Sequence, residues 1–123
     1  MAFQQRQSRG RMSETSGRVA EDLAIRHYLS NGARLLEKRW RSSEGEIDLI
    51  FRFDNTILFV EVKSSQSQER ALQMLGRRQL VRIFNSAAIF LGTLPDGLNP
   101  PSRIDLATVA GGKVATIEGL MLD

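Results

Sequence analysis

Three residues in the middle of the chain are of types that could do chemistry together: Asp48 and, after twelve intervening residues, Glu61 and Lys63. They lie in EGEIDLIFRF-DN-TILFVEVK, where Ile47, Leu49, Phe51 and Phe53 alternate with Glu46, Asp48, Ile50 and Arg52, the two-residue period of a strand. A second alternating run from Thr56 to Lys63 follows Asp54-Asn55, a pair suited to a two-residue type I′ hairpin turn. Such a turn fixes the register: partner numbers sum to 109, so Phe51 faces Leu58, Leu49 faces Val60, Asp48 faces Glu61 and Glu46 faces Lys63. Opposed residues hold their Cβ atoms about 4.5–5.5 Å apart, and like charges there destabilise a sheet. Two carboxylates so placed need a proton, a cation or abundant water, and a hard divalent cation such as Mg²⁺ or Mn²⁺ is the simplest partner. With Lys63 beside them to orient a water or stabilise a developing oxyanion, the set would suit phosphodiester hydrolysis. The bland alternative is a solvated sheet face, with Lys63 in an ordinary cross-strand pair with Glu46.

The elements that must position these groups follow from periodicity. Val19, Ala20, Leu23, Ala24 and Tyr28 recur at helical spacing, from a cap at Ser13 or Ser16 to a stop at Asn31-Gly32. Glu21 falls at the edge of that apolar stripe, between Tyr28 and Ile25, from where it could approach the carboxylates and hold a metal-bound water or a second ion. Arg34 to Trp40 reads as a short strand before a Ser42-Ser43 turn. Gln68 to Gly92 reads as a helix with a broad apolar face through Leu72, Leu75, Leu80, Ile83, Ala87 and Leu91, weakened at Gly76. After the loop LPDGLNPP, Arg103 to Ala110 and Lys113 to Glu118 form a last strand pair about Gly111-Gly112. The order α-β-β-β-α-β-β implies an α/β protein with one mixed central sheet flanked by helices.

Composition narrows the functions open to such a chain. At 41% hydrophobic and 25% charged residues it matches ordinary globular proteins, not disordered or fibrous ones. Without cysteine and with His27 as its one histidine, it has no disulfide framework, thiolate zinc site, cysteine nucleophile or multi-histidine metal site. The longest uninterrupted apolar run, Ala87 to Leu91, is too short to span a bilayer, so the expectation is a cytoplasmic protein with no membrane partner. Residues 1–12 read as a disordered basic arm and residues 13–123 as a single domain. Arg6, Arg9 and Arg11 supply the entire excess of 17 basic over 14 acidic groups, leaving the remainder electrically neutral. Locally, however, arginines cluster around Arg39 and Arg41 and again at Arg77 and Arg78, and arginine suits bidentate phosphate contact. These four are the candidate nucleic-acid contacts, against the commoner role of solvated surface charge.

The run G-R-V-A-E-x-x-A (Gly17 to Ala24), R-W-R (Arg39 to Arg41), GEIDLI (Gly45 to Ile50), FVEVK (Phe59 to Lys63) and RIDLATV (Arg103 to Val109) closely resembles the YraN-like family of small bacterial proteins. That family looks like a branch of the restriction-endonuclease-like superfamily, whose PD-(D/E)xK signature corresponds here to Asp48 and Glu61-Val62-Lys63. The resemblance implies a restriction-endonuclease-like fold in which Asp48, Glu61 and the backbone carbonyl of Val62 ligate Mg²⁺ or Mn²⁺. Lys63 would be the catalytic lysine, and Glu21, matching a helix-borne glutamate shared with archaeal Holliday-junction resolvases, would complete the acidic cluster. The chain departs from the superfamily pattern in following the lysine with Ser64, Ser65 and Gln66 instead of a threonine and a basic residue. It also carries Arg77 and Arg78 where a lysine is usual. The expected function is a Mg²⁺-dependent nuclease acting on nucleic acid, DNA in the first instance, with a homodimer as a natural form for a junction substrate. The alternative is a catalytically silent nucleic-acid-binding or adaptor module on the same fold. A third reading, a structural partner protein that binds no nucleic acid, is compatible with the neutral charge of residues 12 to 123.

Overall fold

Among the described residues, alternating patterns build five strands and helical spacing builds two helices, in the order expected from the sequence. The computed structural model describes residues 17–97 and 100–122. Helix α1 covers residues 17–30, followed by β1 (Arg34–Ser42), β2 (Gly45–Phe53), β3 (Thr56–Ser64), α2 (Gln68–Gly92), β4 (Ser102–Ala110) and β5 (Lys113–Ile117). The basic arm and the capping positions Ser13 and Ser16 lie outside the described residues. β1 runs two residues beyond the expected Trp40, and its turn falls at Ser43-Glu44, where Glu44 N–H donates to Ser42 Oγ (3.0 Å).

The strands form one mixed sheet in the order β1-β2-β3-β4-β5. Every neighbouring pair is antiparallel except β3 and β4, which are parallel and joined by the α2 crossover. The β2–β3 register runs from Phe53↔Thr56 to Leu49↔Val60, the register read from the sequence. The turn itself differs from expectation: Asp54 alone of the pair takes a positive φ (52°), whereas type I′ needs both central residues there. The two-residue length, not the turn type, sets the register.

Both faces of the sheet are covered, so its central strands are apolar on both sides. On one face Ile50, Ile57, Phe59 and Ile104 pack with Leu75, Ile83, Ala87, Phe90 and Leu91 of α2. Trp40 and Phe59 meet Phe90 edge-on, with centroids 5.2 and 5.8 Å apart, so both aromatics are core packing rather than stacking platforms for bases. On the other face Leu49, Phe51, Leu58, Val60 and Ala107 pack with Ala24 and Tyr28 of α1. RIDLATV also supplies a buried polar anchor there. Asp105, wholly enclosed, accepts hydrogen bonds from Tyr28 Oη (2.8 Å), Arg103 Nε (3.0 Å) and Gly119 N–H (3.1 Å), tying α1, β4 and the segment after β5 together.

Two irregularities shape the end of the sheet that bears the carboxylates. Ile47 packs in the α2-side core although its neighbours two and four residues on, Leu49 and Phe51, pack on the α1 side. The alternation fails where Arg39, between the pairs Lys38↔Leu49 and Trp40↔Ile47, takes left-handed backbone (φ 48°). Arg39 and Asp48 are the one position absent from an otherwise continuous register between Glu37↔Ile50 and Ser42↔Gly45, the bulge of β1 lying farther along, between Leu35 and Glu37. In α2, whose first turn is capped by Ser67 Oγ accepting from Arg70 N–H (3.0 Å), the helix breaks at Gly76 (φ 68°, ψ 164°). Any side chain would be strained in that conformation, so glycine permits the re-aiming of the segment that begins at Arg77.

Candidate active site

Beyond Leu49↔Val60 no further β2–β3 partners align, and the two carboxylates take over the backbone donors. Asp48 N–H donates to Glu61 Oε1 (3.2 Å), and Val62 N–H donates to Asp48 Oδ2 (2.9 Å). Each acid thus satisfies an amide of the opposite strand, as buried amides require. The expected juxtaposition of Asp48 and Glu61 is present, by reciprocal side-chain-to-backbone bonds. Glu61 is 2% exposed and Asp48 half-buried.

A residue outside the sequence-derived set completes this network. Gln79, on the second segment of α2, donates from Nε2 to Glu61 Oε2 (2.9 Å) and accepts at Oε1 from Lys63 Nζ (3.2 Å). It holds the carboxylate and the ammonium in fixed relation, one through each end of its amide. A signal was available: Gln79 precedes the buried Ile83 by four residues and the buried Ser86 by seven, so a polar side chain occupies the inward-facing stripe.

Burial pushes the Glu61 carboxyl up to about 8, and the charge of Asp48 adds to the effect. Asp48 is raised above its ordinary value first by burial and then by Glu21 and Glu46, against the opposing pull of the Val62 amide and Lys63. Near neutral pH the pair thus favours retaining a proton, because one lysine and two amides do not offset two buried negative charges. A divalent cation answers that excess charge, and carboxylate oxygens are the hard donors that Mg²⁺ and Mn²⁺ prefer. The residues present fit such an ion.

The other sequence-derived residues are placed differently. Glu21, its side chain 16% exposed, is bound by Arg39 through Nη2 (3.0 Å) and Nε (3.1 Å). Its charge reaches Asp48, yet among the described residues no three acidic or histidine side chains come together as a metal-binding group. The expected cross-strand pair of Glu46 and Lys63 is not formed. The ladder ends before reaching them, Glu46 pairs with the exposed Arg41 (3.1 Å), and Lys63 turns to Gln79. Val62 aligns with Ala107 in the parallel ladder with β4. Arg77 and Arg78 are exposed on α2, immediately before Gln79 in the chain. One residue past Lys63 an open groove of about 510 Å³ begins, lined by Val19 and Leu23 of α1, by Ser64, Ser65 and Gln66, and by Gly111 and Gly112.

The motifs that surround this site recur in known sequences. The chain matches the model of the uncharacterised protein family UPF0102 over residues 20–109, in agreement with the YraN-like resemblance of its motifs. A UPF0102 protein of Ruegeria sp. (strain TM1040) is 43% identical over 116 residues, covering 94% of each chain. Another, from Dinoroseobacter shibae, is 46% identical over 106 residues, covering 86% of this chain and 79% of its own. A third, from Roseobacter denitrificans, is 41% identical over 113 residues, 91% of this chain and 88% of its own.

Proposed function

The chain belongs to the UPF0102 family, and we propose that its Asp48–Glu61–Lys63 site is the centre of a metal-dependent nuclease of restriction-endonuclease-like fold. The observation that carries this reading is the interlocked pair of carboxylates, Glu61 buried and Asp48 half-buried, with Lys63 held beside Glu61 through Gln79. A purely structural pair would more economically be apolar, because buried like charges oppose folding. The cation would be Mg²⁺ or Mn²⁺, held by Asp48, Glu61 and the carbonyl of Val62, and when bound it would supply Lewis acidity and lower the pKa of a water.

The remaining work falls to this chain's side chains. Asp48 and Glu61 orient their oxygens through the opposite strands' amides, so they are preorganised before any ligand arrives. Gln79 fixes the Lys63 ammonium, which directs positive charge at a phosphate oxygen or an attacking water. The groove lined by Ser64, Ser65 and Gln66 lies on the α1 side, one residue past Lys63 in the chain, and would offer hydroxyl and amide groups to a sugar-phosphate backbone. Arg39, Arg41, Arg77 and Arg78 supply the phosphate-binding charge, and the substrate of first choice is DNA in the cytoplasm, with two copies of the chain acting on a junction.

The test is cleavage of labelled duplex, single-stranded, flapped and four-way-junction DNA, and of RNA, in Mn²⁺ or EDTA. Wild type is expected to cut only with the metal, and Asp48→Asn and Lys63→Ala are expected to be inactive. Cutting by both variants at the wild-type rate would overturn the reading. One observation favours a second reading, a binding module without turnover: the described residues do not bring a third metal-ligating side chain to the pair. That reading expects metal-independent, salt-sensitive binding by wild type and Asp48→Asn alike.

A further inference from the structure

Arg39 is unusual in both backbone and partner. Within a strand it takes φ 48°, a region that non-glycine residues seldom occupy. There its guanidinium closes on Glu21, a residue of another element, with Nη2 at 3.0 Å and Nε at 3.1 Å from Oε1 and 3.5 Å from Oε2. The hydrogen bond and charge of Glu21, and then the charges of Glu46 and Asp48, make this guanidinium more basic than usual, so it lies in the field of the acidic site. The Arg39 side chain is 44% exposed and that of Glu21 16%, so a ligand arriving from solvent meets the arginine first.

We infer that Arg39 is a phosphate-binding residue whose capture by a nucleic-acid phosphate releases Glu21 to the cation shared by Asp48 and Glu61. The inference rests on the proposed metal-dependent site and adds to it an order of assembly. A guanidinium fork fits a carboxylate or a phosphate equally well, so one bidentate partner is exchanged for another with no bond made or broken covalently. Without substrate, Arg39 neutralises Glu21 and repels an incoming cation. With a phosphate on Arg39, the Glu21 carboxylate loses its counter-charge, and its field at Asp48 is no longer offset by the guanidinium. Substrate and cation therefore strengthen each other's binding, and by linkage the effect is the same in both directions.

Mn²⁺ binding to the full chain, followed by electron paramagnetic resonance, tests this without reference to cleavage. Arg39→Ala alone is expected to bind Mn²⁺ about tenfold more tightly than wild type, within the usual range of such coupling. Adding Glu21→Gln to that variant is expected to remove the gain. A gain that survives in the double variant would mean that Arg39 acts only through its charge, and no gain in Arg39→Ala would also overturn the inference. In the second arm an uncleavable phosphorothioate DNA duplex is added. It is expected to tighten Mn²⁺ binding to wild type about tenfold and to leave Arg39→Ala unchanged; equal tightening of both would overturn the exchange. Arg39→Asn, at ease in left-handed backbone, repeats each arm as a control for folding. Asp48→Asn separates the two proposals: if it abolishes Mn²⁺ binding while Arg39→Ala changes nothing, the metal site stands and the exchange fails. If Asp48→Asn binds Mn²⁺ as well as wild type does, the metal site itself fails.

Discussion

Replacing Asp48 by asparagine is expected to stabilise the metal-free protein at pH 8 while destroying its response to Mg²⁺. Asn keeps an oxygen to accept from Val62 N–H, now 2.9 Å from Asp48 Oδ2, and places an amide donor toward Glu61 instead of a second negative charge. Facing Cβ atoms on adjacent strands lie roughly 5 Å apart, which sets the order of magnitude of the separation between the two carboxylates. At an effective dielectric constant near 20, two unit charges at that distance repel by about 3 kcal/mol. Glu61, pushed up to about 8 by burial and by Asp48, already escapes part of this by holding a proton, so the expected gain is about 1–3 kcal/mol. For a chain of this length that is about 4–12 °C in melting temperature. The assay is thermal or urea unfolding in EDTA at pH 8 and pH 5. At pH 5 Glu61 is protonated in both proteins, and the gain is expected to shrink to a fraction of its value at pH 8. A destabilised Asp48→Asn at pH 8, or a gain of equal size at both pH values, would refute the electrostatic reasoning.

Four further outcomes follow from the same geometry. In wild type the raised Glu61 pKa contributes stability that is fully present below the ordinary glutamate range and lost as pH rises through about 8; Mg²⁺ needs the ionised pair, so its stabilising effect should be larger at pH 8 than at pH 5 in parallel melts. Gln79→Ala leaves Glu61 and Lys63 each short of a partner and should cost about 1–3 kcal/mol in urea unfolding, while lowering cleavage turnover more than it raises KM. Asp105→Ala strips a partner from Tyr28, Arg103 and the Gly119 amide at once and should cost about 3–5 kcal/mol, seen as a melting temperature lower by about 12–20 °C. Gly76→Ala meets no atom within 4 Å, so its cost is conformational alone, about 1–3 kcal/mol in urea unfolding; a neutral result would mean that the kink relaxes readily.

Alternating and helical periodicities in the sequence determined the order of elements, the extent of α2 and the β2–β3 register, because burial on two faces forces a matching apolar pattern onto each strand and helix. A two-residue connection was enough to align β2 with β3 as far as Leu49↔Val60 and so to bring Asp48 and Glu61 within reach of each other's strand, since register depends on loop length and not on the turn's dihedral angles. The family motifs were likewise local in the chain and legible as such. Periodicity carries no information about where regularity ends. Ile47 joins the other core next to the left-handed Arg39, and the ladder stops short of Glu46 and Lys63, because those positions answer to packing across elements and to the satisfaction of amides. The partners of the site were decided by tertiary structure for the same reason. Gln79 reaches Glu61 and Lys63 across 18 and 16 positions of the chain, and Arg39 reaches Glu21 across 18. Each of these bonds requires two elements to be docked first, so the sequence determined which groups carry the charge and the tertiary structure decided which of them compensate one another.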